Sequence, residues 1–128
     1  MTKVRAGNSR QDVGARGEDL AVVALQQVGM HVVTRNWRCK AGEIDIIALE
    51  VVAGRRTLVF CEVKCRTGLG FGGPLESITF AKLRKLRSLV AQYLNDEQPQ
   101  ADEIRLDAIG VVLQLGRPPE LTHVRGIG

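Results

Sequence analysis

The sequence predicts a single α/β domain built on a mixed β-sheet, and three observations carry that reading. Apolar residues recur at helical spacing in two stretches, residues 13–28 and 75–95. Between them, residues 31–66 hold three strand-like runs joined by short turns, which suits consecutive antiparallel pairing. A further long run after residue 103 follows the second helix, a crossover that returns a strand parallel to its predecessor. The expected order is α-β-β-β-α-β-β, with the helices flanking the sheet.

At 128 residues the chain is long enough for one domain with a sizeable core. Its 45% apolar and 25% charged content is that of an ordinary globular protein, and no apolar run approaches the length of a membrane span. Lys3, Arg5 and Arg10 precede no apolar segment of the kind a secretory signal needs, so a cytoplasmic location is expected. The net charge of +4 suits a polyanionic partner without identifying one. Aromatic residues are 4% of the chain, too few for a platform that stacks single-stranded bases. Three cysteines without a close pair read as reduced thiols.

In chain order, residues 1–11 are polar and basic and read as a mobile arm, leaving a domain at 12–128. The first helix, 13–28, carries an apolar stripe of Leu20, Val23, Ala24 and Val28, widened by Ala21 and Leu25. Asp12 is its expected N-cap and Gly29 its terminator. His31, Val32, Val33, Thr34 and Trp37 lean towards a strand, Lys40-Ala41-Gly42 signals a hairpin, and residues 43–49 form a second strand. Ala53-Gly54-Arg55-Arg56 turns the chain into a third strand ending near Arg66. Residues 67–74 hold four glycines and a proline and suit a lid or a plain connector; without a Gly-Lys-Ser/Thr ending they are no phosphate loop. The second helix, 75–95, buries Ile78, Leu83, Leu86, Val90, Tyr93 and Leu94, while Lys82, Arg84, Lys85 and Arg87 form a basic face. Residues 103–115 form the parallel strand, and residues 121–125, after Pro118-Pro119, a short edge strand.

The third strand holds the chemistry. Leu58, Val59, Phe60 and Cys61 need burial on both faces, yet Glu62 and Lys64 interrupt the run. Alternation puts Leu58, Phe60, Glu62, Lys64 and Arg66 on one face, and Val59, Cys61, Val63 and Cys65 on the core side. Cys61 and Cys65 are then about 13 Å apart, beyond disulfide reach, and read as small core residues. Buried charge must be paired or hold a metal. A turn centred between Ala53 and Gly54 puts Asp45 opposite Glu62; a turn centred on Gly54 puts it opposite Val63, on the wrong face. In the first register two carboxylates share one ion, and hard oxygen ligands suit Mg²⁺ or Mn²⁺. Lys64 then stands ready to orient water or to stabilise charge on a phosphate. The same three residues also fit a cross-strand salt bridge on a solvated face. His31 and His123 are isolated and lack ligand spacing.

Asp45 followed by Glu62-Val63-Lys64 resembles the PD-(D/E)XK nuclease motif, with Ile44 where that motif has proline. Glu18 in Gly17-Glu18-Asp19-Leu20-Ala21 is similar to the extra acidic ligand of archaeal Holliday-junction resolvases. Gly14-x-x-Gly17-Glu18, Asn36-Trp37-Arg38, residues 42–48, residues 60–66 and Arg105-Leu106-Asp107 together resemble the bacterial YraN family, described as predicted endonucleases. The resemblance covers about residues 12–125. It implies a restriction-endonuclease-like core, metal binding by Glu18, Asp45 and Glu62 with the Val63 carbonyl, and Lys64 as base partner or charge stabiliser. It also implies phosphate contact by Lys82, to which the basic residues Arg66, Arg84 and Lys85 are added as nucleic-acid contacts. Glu43 falls at the rim, and Asp107 is expected as a structural ion-pair partner. The implied activity is Mg²⁺- or Mn²⁺-dependent hydrolysis of DNA phosphodiesters, in branched or damaged DNA. The related resolvases act as dimers, so a homodimer is implied too. Two other readings stay open: a nucleic-acid-binding module whose acids are catalytically idle, and a protein-interaction domain on the same fold.

Overall fold

The computed structural model describes residues 10–68 and 73–128. Helix α1 (Arg10–Gln27) is followed by strands β1 (His31–Cys39), β2 (Gly42–Val52) and β3 (Arg55–Thr67). A 3₁₀ turn (Pro74–Ser77), helix α2 (Phe80–Glu97), β4 (Glu103–Leu113) and β5 (Glu120–Val124) complete the chain. The five strands lie in the order β1-β2-β3-β4-β5. Only the β3–β4 pair is parallel, as the α2 crossover requires. The order α-β-β-β-α-β-β and the mixed sheet are those the sequence predicts.

Each face of the sheet has its own core. On the α1 side Ala21, Leu25 and Met30 pack on Ile46, Ala48, Val59, Cys61, Ile109 and Val111. On the α2 side Leu86, Leu89, Val90 and Tyr93 pack on Ile44, Ile47, Leu58, Phe60 and Leu106. Val59, Phe60 and Cys61 are wholly buried, because β3 is a central strand covered by a helix on each face.

Several expectations shift. Helix α1 begins at Arg10, so Asp12 lies in its first turn and is no N-cap. Arg10 and Gln11 therefore belong to the helix; the rest of the expected arm, residues 1–9, lies outside the described residues, as do residues 69–72 of the glycine-rich stretch. The buried stripe of α1 runs through Gly17, Ala21 and Leu25. Val23 and Val28 face outwards, at 48% and 55% exposure. The stripe is rotated because the helix approaches the sheet most closely at Gly17, where an added Cβ would meet Cys65. Gly29 does terminate α1: its N–H donates to the Gln26 carbonyl and that of Met30 to the Leu25 carbonyl, each at 3.0 Å. The expected 75–95 helix is in two pieces. Thr79 is extended, its hydroxyl accepts from the Lys82 N–H at 3.2 Å, and α2 starts only after it. Ile78 consequently lies in the junction, outside the helical face.

Candidate active site at the end of the β2–β3 ladder

Ala53 and Gly54, with φ of 50° and 81°, form the two-residue turn between β2 and β3. Val52 pairs with Arg55, and the ladder runs from there to Ile46 with Cys61. One step further in this register Asp45 stands opposite Glu62, the result of a turn centred between Ala53 and Gly54. No backbone pair forms at that step. Instead Asp45 Oδ2 accepts a hydrogen bond from the Val63 N–H at 2.8 Å, so the carboxylate occupies the opening where the ladder has ended.

The other flank of β2 is interrupted at the same level. The β1–β2 ladder contains Arg35 with Ile46 and Trp37 with Ile44, but no Asn36–Asp45 pair. Asn36 has a φ of 52°, in the left-handed region that asparagine tolerates better than most residues. Arg35 and Asn36, adjacent in sequence, consequently both reach Glu18 on α1, while Trp37 meets Tyr93 edge-on in the α2-side core. Strand β2 changes face here too, since Ile44 packs on the α2 side and Ile46 on the α1 side.

This change of face corrects one expectation. Asp45 and Glu62 are opposite in register and near enough that, after burial, the Glu62 carboxylate raises the Asp45 carboxyl, but they line different cavities. Asp45 lines a groove of about 880 Å³ on the α1 side, with Glu18, Glu43, Arg35, Val63 and Arg66. Glu62 and Lys64 line a smaller cavity of about 180 Å³ on the α2 side, with Lys82 and Lys85. Glu43 borders both. Arg84 is exposed on α2 and lines neither of these two cavities.

At the site, Glu18, Glu43 and Glu62 each have a basic or amide side-chain partner. Glu18 accepts from Arg35 (3.1 Å) and from the Asn36 amide (3.0 Å). Glu43 accepts from Arg38 (2.7 Å) and from the same Asn36 amide (3.1 Å). Glu62 lies 3.1 Å from the Lys64 ammonium. Burial pushes the Asp45 carboxyl up to about 7, helped by the Glu62, Glu18 and Glu43 carboxylates and opposed by the Val63 N–H. Among the described residues no group of three or more His, Cys, Asp or Glu side chains is gathered closely enough to hold a metal ion. The donor chemistry nonetheless fits a hard divalent cation. Mg²⁺ is commonly held by one or two carboxylates with water and phosphate oxygens completing its shell, and a cation offsets the carboxylate repulsion that, after burial, raises the Asp45 carboxyl.

The family model described as Uncharacterised protein family UPF0102 matches residues 17–111. The chain belongs to the UPF0102 (YraN) family. UPF0102 proteins of Mycobacterium tuberculosis and Mycobacterium bovis are 46% identical to it over 123 residues, covering 94% of this chain and 94% of theirs. A UPF0102 protein of Mycobacterium ulcerans is 46% identical over 120 residues, covering 94% of this chain and 97% of its own. The UPF0102 match spans Glu18, Asp45, Glu62, Lys64, Arg66, Lys82, Arg84 and Lys85 and stops before β5. Sequence reasoning did not assign roles to Arg35 and Asn36; the only signal was the Asn36-Trp37-Arg38 motif, since neither residue type alone marks a left-handed position in a strand.

Proposed function

We propose that this UPF0102 member is a Mg²⁺- or Mn²⁺-dependent nuclease that hydrolyses phosphodiester bonds in DNA. The observation that carries the reading is the placement of Asp45: its carboxylate is hydrogen-bonded to Val63 N–H at the end of a ladder, beside the Glu62–Lys64 pair. Asp45 and Glu62 are the residues that would hold the cation, with Glu18 joining once its clasp by Arg35 opens. When bound, such a cation supplies a Lewis acid towards a phosphoryl oxygen. Lys64 provides positive charge beside Glu62, suited to stabilising a phosphate that gains charge in the transition state. Arg66 borders the large groove and Lys82 and Lys85 the small cavity, positions from which they can neutralise a DNA backbone. No aromatic side chain lines either cavity among the described residues, which suits reading of backbone and shape over base stacking. A branched substrate presents two scissile strands, so a pair of chains is the assembly this reading implies.

The test is cleavage of linear, flap and four-way DNA with Mg²⁺ or Mn²⁺. Glu62→Ala and Lys64→Ala are each expected to lower the rate by about 10²-fold or more, and Asp45→Ala to abolish Mn²⁺ binding by calorimetry. Unchanged cleavage in both of the first two variants would remove the proposed site. The pairing of Glu18 with Arg35 and of Glu62 with Lys64 favours a second reading, a binding module with idle acids. That module would show salt-dependent DNA affinity retained in Asp45→Ala, and no cleavage by the wild type.

A further inference from the structure

We propose that Asn36 is the positioning residue of the carboxylate site: one side-chain amide holds Glu18 and Glu43 in place around Asp45 and thereby sets the affinity for a divalent cation. The inference rests on the cation-dependent reading above. It starts from a side chain that the proposed chemistry does not otherwise use. Asn36 Nδ2 lies 3.0 Å from Glu18 Oε2 and 3.1 Å from Glu43 Oε1, so its two N–H groups are divided between two carboxylates on different elements. One is on α1 and the other at the start of β2. The amide is neutral, so it can hold both acids without cancelling the negative charge a cation needs. Arginine partners do the opposite: Arg35 and Arg38 neutralise the same two carboxylates at 3.0 and 2.7 Å.

The backbone explains why this residue is asparagine. With φ at 52° and no ladder partner at Asp45, the strand turns two consecutive side chains towards α1. Asparagine tolerates that conformation and carries a two-hydrogen donor on a short stem. Glutamine reaches too far, serine has one hydrogen to give, and aspartate would add a third repelling charge. The left-handed backbone and the amide therefore act together, at the register position facing Asp45, whose other flank is fixed by Val63 N–H. Groups that orient ligands from outside the coordination sphere are worth about 10–100-fold in metal affinity.

Asn36→Gly separates the amide from the backbone, because glycine keeps the left-handed conformation without strain. The variant is expected to melt cooperatively like the wild type while its Mn²⁺ dissociation constant, measured by calorimetry on the full chain, rises at least about tenfold. Asn36→Ala should show the same loss of affinity together with a lower melting temperature, since alanine is disfavoured at this φ. A glycine variant that binds Mn²⁺ as tightly as the wild type overturns the positioning role and leaves the cation site standing. A wild type that binds no Mn²⁺ overturns the cation reading itself, and this inference with it.

Discussion

Asp45 is placed where its own ionisation is unfavourable. Its folded-state pKa, about 7, lies above the ordinary 3.8 because burial and then the neighbouring Glu62 penalise the charged form. Between those two values the folded chain binds a proton that the unfolded chain has released, so stability falls as pH rises through that window. Asp45→Asn keeps an oxygen for Val63 N–H and cannot ionise. Without added metal it is expected to be more stable than the wild type above pH 7, by roughly 1–3 kcal/mol, and to lose the pH slope below that. Urea unfolding at pH 5 and pH 8 measures this, and equal stabilities of the two proteins at pH 8 would contradict it. Such a gain would accord with stability surrendered to function at the proposed site.

Among the elements, α1 depends on one close approach. A Cβ added at Gly17 would lie 2.5 Å from Cys65 Cβ and 2.7 Å from its Sγ, closer than real atoms pack. Replacing a helical glycine by alanine normally stabilises by about 1 kcal/mol. Here overpacking against a strand should outweigh that gain, and Gly17→Ala is expected to destabilise by about 1–3 kcal/mol net. Cys65→Gly in the same chain removes the obstructing atoms and should recover most of the loss; a denaturation series over the four proteins decides it. The same contact holds the first turns of α1, and with them Glu18, over the end of β3. Cys61, on the same face but wholly buried, has its thiol pushed up to about 12 by burial and then by Asp107. It is inert packing, as the alternation of β3 predicts.

For the molecule as a whole, a polar network away from the site joins the last strand to the sheet. Asp107 is wholly buried, yet it receives Arg105 at 2.8 and 3.0 Å, His123 at 2.7 Å and the Gly126 N–H at 3.1 Å. Glu50 on β2 accepts from Arg105 at 2.8 Å and Arg125 at 2.9 Å. The structural ion-pair role expected for Asp107 is thus the one it has. Burial pushes its carboxyl up, but Arg105, His123 and Gly126 together draw it below 3.8; Glu50 is drawn below 4.5 chiefly by the hydrogen bond from Arg105. Both folded-state values lie below the unfolded ones. The network's contribution is therefore complete above about pH 4.5 and disappears as pH falls through the lowered values. Asp107→Ala should cost roughly 3 kcal/mol at pH 7, because it leaves Arg105 half-paired, and should flatten the acid limb of the stability curve. An acid limb that persists unchanged in this variant would assign it to other carboxylates.

The order of elements, the parallel return after α2, the two-sided burial of β3 and the apolar character of both helices were legible in the chain itself. Periodicity and turn chemistry are local, so the chain showed a turn at Ala53-Gly54 but left two registers open; the ladder takes the one that brings Asp45 level with Glu62. Three matters were decided only by tertiary packing. The stripe of α1 turned to Gly17, Ala21 and Leu25 because the close approach of Gly17 to Cys65 on β3 fixes which side of the helix meets the sheet. The second helix began at Thr79, whose hydroxyl caps it. Above all, Asp45 and Glu62 came to line different cavities, because Asn36 in its left-handed conformation interrupts the β1–β2 ladder where β2 changes face. Strict alternation assumes an uninterrupted ladder on both edges of a strand. At this strand Glu18, Glu43 and Asp45 line one groove where the ladder is interrupted.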